Sequence, residues 1–234
     1  MAFNQQFEDV IKFYSGGIHP VVPFIPAKDK LVLFDFTRNN KELPADITGN
    51  TDLFSEYVCK KLKEANALYG IGGHNEIRNF YDRSEVFNDD GSGEPRRLHL
   101  GMDIWGSAGT SVYAPLEAIV HSFAFNNNYG DYGATLILQH ELEGVIFHTL
   151  YGHLSLHSIQ DKREGDTIEK GSWIAAFGEA HENGNWPPHL HFQIILNMQG
   201  LKGDYPGVCK FSEREKYLAN SPDPDLILRM LRFV

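Results

Sequence analysis

The stretch NWPPHLHFQIIL, residues 185–196, decides how this chain is read. In extended backbone successive side chains alternate between faces, so His189, His191 and Gln193 share one face while Leu190, Phe192 and Ile194 share the other. The second face suits a core. The first places two imidazoles two residues apart, just after a Pro-Pro pair, and is suited to chemistry.

Working outward, RRLHLGMDIWG (96–106) holds His99 and Asp103 four apart. Helical spacing would stack them, but Gly101 and the following DIWGSAGTSV favour an extended segment, in which His99, Gly101 and Asp103 share a face. Glycine between them leaves nothing hanging over the gap between imidazole and carboxylate, where a metal ion fits. A third candidate, His153, stands in LYGHLS (150–155) at the end of an apolar run.

From about residue 95 the chain is a series of short β-rich runs, SVYAPLEAIVHSFAF, ATLILQHE, GVIFHTLYGHLS, TIEKGSWIAAFG and HLHFQIIL, separated by Gly, Asn and Asp clusters. This pattern predicts an antiparallel β core, with ELEG (141–144) as a hairpin turn and NNNYGDYG (126–133) as a longer loop. Residues 1–80 read as an α/β extension: KLVLFDF suggests a strand, and DLFSEYVCKKLKEANALYG a helix capped by Asp52 and stopped at Gly70. Residues 81–210 form the β core. Residues 211–234 read as a short helical tail, with Ser212 and Asp223 as candidate caps. The fold class is therefore mainly β.

With 234 residues and 42% hydrophobic composition the chain can bury a substantial core. A formal net charge of −10 and the absence of a clustered Lys/Arg stripe argue against nucleic acid as a partner. No apolar run is long enough to insert in a membrane, and the first residues do not read as a secretory signal, so a cytoplasmic location is expected. Cys59 and Cys209, outside any metal-binding spacing, are expected to be inert buried thiols.

Few thiols and several imidazoles favour a catalytic over a structural zinc site, since a catalytic zinc takes three His or Asp/Glu ligands and keeps a fourth position for water. Two neutral His and one Asp leave such a site net positive, able to acidify its water.

HLGMD, LYGHLS and HLH, in that order on a β framework, resemble the lysostaphin-type zinc metallopeptidases, a family that cuts peptide cross-links in bacterial cell walls. HLGMDIWGSAGTSVYAPLEAIV, YGDYGATLILQHELEGVIFHTLYGHLS, GDTIEKGSWIAAFG and PPHLHFQI extend the resemblance over residues 95–197. It implies an antiparallel, duplicated-hybrid-motif-like β core and one zinc ion held by His99, Asp103 and His191. It also implies His153 and His189 as catalytic histidines, and hydrolysis of a peptide bond in a peptide or peptidoglycan-derived substrate.

Trp186, in the loop before the His-Leu-His run, is expected to touch substrate. Trp105, Tyr113 and Tyr151 are expected in the core, and the remaining histidines are expected to be structural, with His181 the one placed to line the cleft. Gln193 stands where the family often has Glu. NEIRNFYDRSEVF, EPRRLHLGMDIW, GDYPGVC and SPDPDLIL also resemble a peptidase-like domain found beside phosphotransferase-like and aminotransferase-like domains in large chains, which implies a small peptide or amide substrate. Two other readings remain: a zinc-stabilised binding or regulatory module without turnover, and a latent peptidase whose residues 1–80 cover the cleft and supply an Asn, Asp or His to the open zinc position.

Overall fold

The computed structural model describes residues 2–43, 46–47, 49–78, 81, 85–87, 91 and 93–234. Among the described residues thirteen strands follow in chain order: β1 (Leu31–Leu33), β2 (Tyr69–Gly72), β3 (Glu76–Ile77), β4 (Leu98–His99), β5 (Met102–Trp105), β6 (Ser111–Tyr113) and β7 (Ala118–Asn126). The series continues with β8 (Gly133–Leu142), β9 (Val145–Leu154), β10 (Thr167–Ile168), β11 (Trp173–Ala176), β12 (His189–Ile195) and β13 (Val208–Cys209). The α-helices among the described residues are α1 (Ala2–Tyr14), α2 (Thr51–Ala65), α3 (His157–Gln160), α4 (Arg214–Asn220) and α5 (Asp225–Leu228).

The main sheet has eight strands in the order β1-β2-β5-β12-β9-β8-β7-β10, flanked by a three-stranded sheet, β13-β4-β3, and the pair β11-β6. Pairing is antiparallel as the sequence predicts, except that β1 runs parallel to β2. At the β8–β9 hairpin, Leu142 faces Val145 and the two turn residues, Glu143 and Gly144, have φ of 50° and 75°. Left-handed backbone at both positions matches the right-handed twist of the strands, which favours a two-residue hairpin here.

β12 is the centre of the sheet and buried along its whole length. Leu190, Phe192 and Ile194 join the largest apolar cluster, with Met102, Ile104, Leu136, Phe147 and Tyr151. The alternation read from the sequence holds, and each such side chain taken out of water contributes roughly 1.5–3 kcal/mol before conformational entropy is charged against it.

The first residues are built into the same layers. Phe7 and Ile11 of α1 enter the main cluster, with the Phe7 ring 5.0 Å from that of Phe147. Phe54 and Val58 of α2 pack with Phe34, Phe36, Trp105 and Trp186 in a second cluster. The helix is capped by Asn50, whose side chain accepts from the N–H groups of Asp52 and Leu53, and it ends at Asn66 in left-handed conformation. The expected signals were one element off: Asp52 lies inside the first turn, where its charge favours the helix dipole, and Gly70 belongs to β2. At the other end Asp223 accepts from the N–H of Asp225 at the start of α5, whereas Ser212 bonds Glu94 and caps nothing. Cys59 is exposed, correcting the expectation of a buried thiol, and Cys209 is buried. Among the described residues no helix is long and apolar enough to cross a membrane.

Candidate metal centre and active site

Strand register assembles the site. His191 of β12 lies opposite Asp103 of β5 on one side and Gly152 of β9 on the other, and His189 lies opposite Trp105. Directly paired residues project to the same face, so pairing alone brings the carboxylate, two imidazoles and the start of the His153 turn together. His99 arrives differently. It belongs to β4 in the small sheet, and the chain bends at Leu100 and Gly101 before β5, so the expected continuous strand is broken between the two candidate ligands. Gly101 is required for a tighter reason than an open gap: an added Cβ would collide with Cε1 and Nε2 of His191.

His99 Nε2 lies 2.9 Å from His191 Nδ1, and Asp103 Oδ1 lies 3.4 and 3.3 Å from them. The outer nitrogens show which atoms carry lone pairs. His99 Nδ1 faces the Gly73 carbonyl at 2.8 Å and must donate to it. His191 Nε2 faces Gln193 Oε1 at 3.0 Å; the Gln193 amide is oriented because its Nε2 donates to the Pro206 carbonyl and to Ser221 Oγ. His191 therefore donates from Nε2. In their neutral forms, His99 Nε2 and His191 Nδ1 are both acceptors, facing each other and a carboxylate oxygen that has no hydrogen bond of its own. Burial, reinforced by the nearby Arg78 charge, pushes the His99 pKa down to about 3, so a proton does not fill the gap at neutral pH. Burial works against ionising Asp103, but His99 and Arg78 outweigh it and hold its carboxyl well below the usual range.

Three electron-rich atoms at these separations suit a cation. Tetrahedral bonds of about 2.0–2.2 Å place donor atoms about 3.3 Å apart, close to what is seen here, and a His, His, Asp set is a zinc donor set. Among the described residues this is the one group of three such side chains able to hold a metal. No Asn, Asp or His among the described residues before 79 lines the cavity beside the triad or joins its cluster, so the residue expected from 1–80 in the latent reading is not found there; residues 79 and 80 lie outside the described residues.

His153 and His189 flank the triad with their rings 4.1 Å apart. His189 Nδ1 donates to the Pro187 carbonyl and His153 Nδ1 to the Asn183 carbonyl, each at 2.8 Å, which leaves Nε2 of both as acceptors beside the cavity. Burial pushes His189 down to about 4, and burial with the His189 charge pushes His153 well below its ordinary value. His153 has φ of 61°, uncommon for a residue with a Cβ, at the end of β9 where the pairing with β8 shifts register. Such bulges re-aim a side chain, and strained backbone concentrates at working sites.

The triad, both histidines and Trp186 line a common cavity of about 180 Å³. Trp186 is buried, with its ring edge-on to His153 and His189. His181 is exposed and is not among the residues lining that cavity, contrary to its expected place in the cleft. Several contributors carried no clear sequence signal. Trp105, expected as plain core, stacks on His189 at 3.9 Å. Tyr132 OH donates to the Tyr205 carbonyl and sits 3.4 Å from His191 Nε2. Only Gln193 was visible beforehand, as the third member of the polar face of β12.

Residues 97–202 match the model of Peptidase family M23. The chain is 29% identical over 140 residues to an uncharacterized metalloprotease of Haemophilus influenzae, covering 57% of this chain and 27% of that protein. It is 33% identical over 103 residues to the DD-carboxypeptidase/endopeptidase Mpg of Neisseria meningitidis, covering 44% and 21%. It thus spans about a quarter of the length of these curated relatives. The catalytic domain of lysostaphin from Staphylococcus simulans aligns with a TM-score of 0.44 at 20% identity, covering 75% of this chain and 97% of that one. HLGMD, LYGHLS and HLH all fall within residues 97–202, the segment of this chain that is similar to peptidase family M23.

Proposed function

We propose that this chain is a zinc-dependent peptidase that hydrolyses an amide bond in a peptide or peptidoglycan-derived substrate. The observation that carries this reading is the set of three lone-pair-bearing atoms, His99 Nε2, Asp103 Oδ1 and His191 Nδ1, facing one another beside a cavity walled by two further neutral histidines. His99, Asp103 and His191 would hold the zinc ion, which supplies a Lewis acid for polarising a carbonyl and acidifying a water.

The remaining groups handle protons. His153 and His189 begin as acceptors at Nε2, so either can take the proton of an attacking water. Once protonated, the same Nε2–H can donate to the tetrahedral oxyanion or to the leaving amine nitrogen. Two imidazoles this close resist double protonation, which suits a single proton moving through the pair. The backbone carbonyls on Nδ1 hold both rings in the required tautomer, and the Trp105 stack fixes the plane of His189. Trp186 forms a wall against which a substrate chain can lie. The name of the Neisseria relative, a DD-carboxypeptidase/endopeptidase, supports a peptidoglycan-type substrate.

The deciding experiment is turnover by the zinc-loaded protein on Gly-rich, D-amino-acid-containing and ordinary short peptides, read by mass spectrometry with His189→Ala as the blank. Cleavage that requires both zinc and His189 is expected. Zinc binding without cleavage of any class would favour the non-catalytic module.

A further inference from the structure

Arg78 is 1% exposed, although it carries a permanent charge. Its Nη1 lies 2.5 Å from Asp103 Oδ2, and its Nε lies 2.5 Å from Glu76 Oε2. Nη1 also reaches Tyr81 OH at 3.3 Å, and Nη2 reaches the Gly72 carbonyl at 3.4 Å. The guanidinium lies over the Phe36 ring at 5.4 Å. A buried ion of this kind is costly to desolvate, and the cost is met only where geometry and further hydrogen bonds are good, as they are here.

The backbone around it is shaped to the same end. Gly73 has φ of 103°, and a Cβ there would collide with Arg78 Nη2 and come within 3.1 Å of His99 Nδ1. The Gly73 carbonyl is the group that fixes the His99 tautomer, and Glu76 of β3 pairs with His99 of β4. Residues 72–78 thus touch two of the three metal ligands, yet they precede the segment that matches the family model.

We infer that Arg78 is a positioning residue for Asp103: by holding Oδ2 it turns Oδ1 alone toward the two imidazoles, making the carboxylate a one-oxygen ligand. Glu76 anchors the guanidinium from its far side. A free carboxylate can offer both oxygens to a cation, which would fill the position a catalytic site leaves for water. Arg78 removes that option. The inference rests on the metal site of the proposed function and assigns residues outside the matched segment a part in it.

The test uses Arg78→Lys, which keeps the charge but loses the planar fork, and Glu76→Gln, which keeps the guanidinium but loosens its anchor. Zinc affinity is measured by competition with a chromophoric chelator, ligand geometry by the visible spectrum of cobalt(II)-loaded protein, and folding by melting in EDTA. For Arg78→Lys the expected result is a metal-free melting curve close to the parent's. Zinc affinity should fall by about 10- to 100-fold, as is usual when a group orienting a metal ligand is lost. Weaker cobalt absorption, marking a fifth donor, and a fall in kcat at little-changed KM should accompany it. Glu76→Gln should move every readout the same way by less. A folded Arg78→Lys protein with parental zinc affinity and cobalt spectrum would overturn the inference while leaving the metallopeptidase reading intact. If Arg78→Lys does not fold, the same parental result for Glu76→Gln would overturn it. A parent protein that binds no zinc would instead bring down the proposed function and this inference together.

Discussion

His140 and His189 are alike in most respects and differ in one. Both sit on central strands, both are buried, and burial pushes both down to about 4. Each donates its Nδ1 proton to a backbone carbonyl, Glu117 for His140 and Pro187 for His189. At the other nitrogen they part. His140 Nε2 is satisfied by Thr149 Oγ1 at 2.8 Å, and Thr149 in turn reaches Tyr151 OH, so the polar groups close on themselves. His189 Nε2 has no hydrogen bond among the described residues and stands beside the cavity. Burial, a depressed pKa and a fixed tautomer therefore do not set His189 apart from His140; a lone pair left over at a cavity wall does.

The strongest way to break this comparison is to remove the ligands themselves. Asp103→Ala and His191→Ala should each abolish zinc retention after dialysis and reduce turnover to background. They should also lose the zinc-dependent stabilisation, about 4 kcal/mol at a thousandfold excess over Kd, read as the difference in melting with and without EDTA. Next, His153→Ala and His189→Ala should retain zinc by metal analysis while kcat falls by roughly 10²- to 10⁴-fold, the usual worth of a positioned acid or base. His140→Gln should leave kcat within about twofold of the parent, since positioned acid–base catalysis is what it lacks. A loss of turnover in His140→Gln comparable to that in His189→Ala would erase the distinction.

A third prediction sharpens the shared half of the comparison. In the unfolded chain these histidines titrate near 6.5, and in the folded, metal-free chain His140, His148 and His189 titrate near 4 because burial disfavours the charged ring. Between those values the unfolded state holds more protons, so stability is fully present above pH 6.5 and is lost as pH falls toward 4. For a fully buried ring such as His140 this amounts to about 3 kcal/mol. Urea melts of metal-free protein from pH 7.5 to 4.5 should show the loss, and His140→Gln should flatten the curve by one proton's share. The smallest effect belongs to Thr149→Val, which leaves His140 Nε2 unsatisfied. It should cost about 1–3 kcal/mol in the same melts without touching kcat.

The legible part of the site was the part with short-range pattern. HLGMD, LYGHLS and HLH stood out because metal chemistry needs those residue types and because, in that order, they resemble a known peptidase family. The alternation in β12 also separated its apolar face correctly. What escaped was long-range or depended on backbone detail. Arg78 lies 25 residues before Asp103, and nothing in NEIRNF announces that its guanidinium reaches a ligand's second oxygen. Trp105 was assigned to the core by composition, and only the pairing of β5 with β12 showed that it also stacks on His189. The start and stop of α2 shifted to Asn50 and Asn66 because several nearby polar residues could cap a helix, and packing of Phe54 and Val58 chose among them.

By itself the sequence determined the mainly β architecture and the hairpin at Glu143–Gly144, and it singled out His99, Asp103, His153, His189 and His191 as candidates, since periodicity, turn chemistry and residue type are local properties. Tertiary structure alone decided which nitrogen of each histidine is left bare, which carboxylate oxygen faces the imidazoles, and that residues 72–78 complete a centre lying mostly beyond residue 97. Those choices depend on carbonyls and charges brought together by strand pairing across distant parts of the chain, and a hydrogen bond's direction is fixed only when both of its partners are in place.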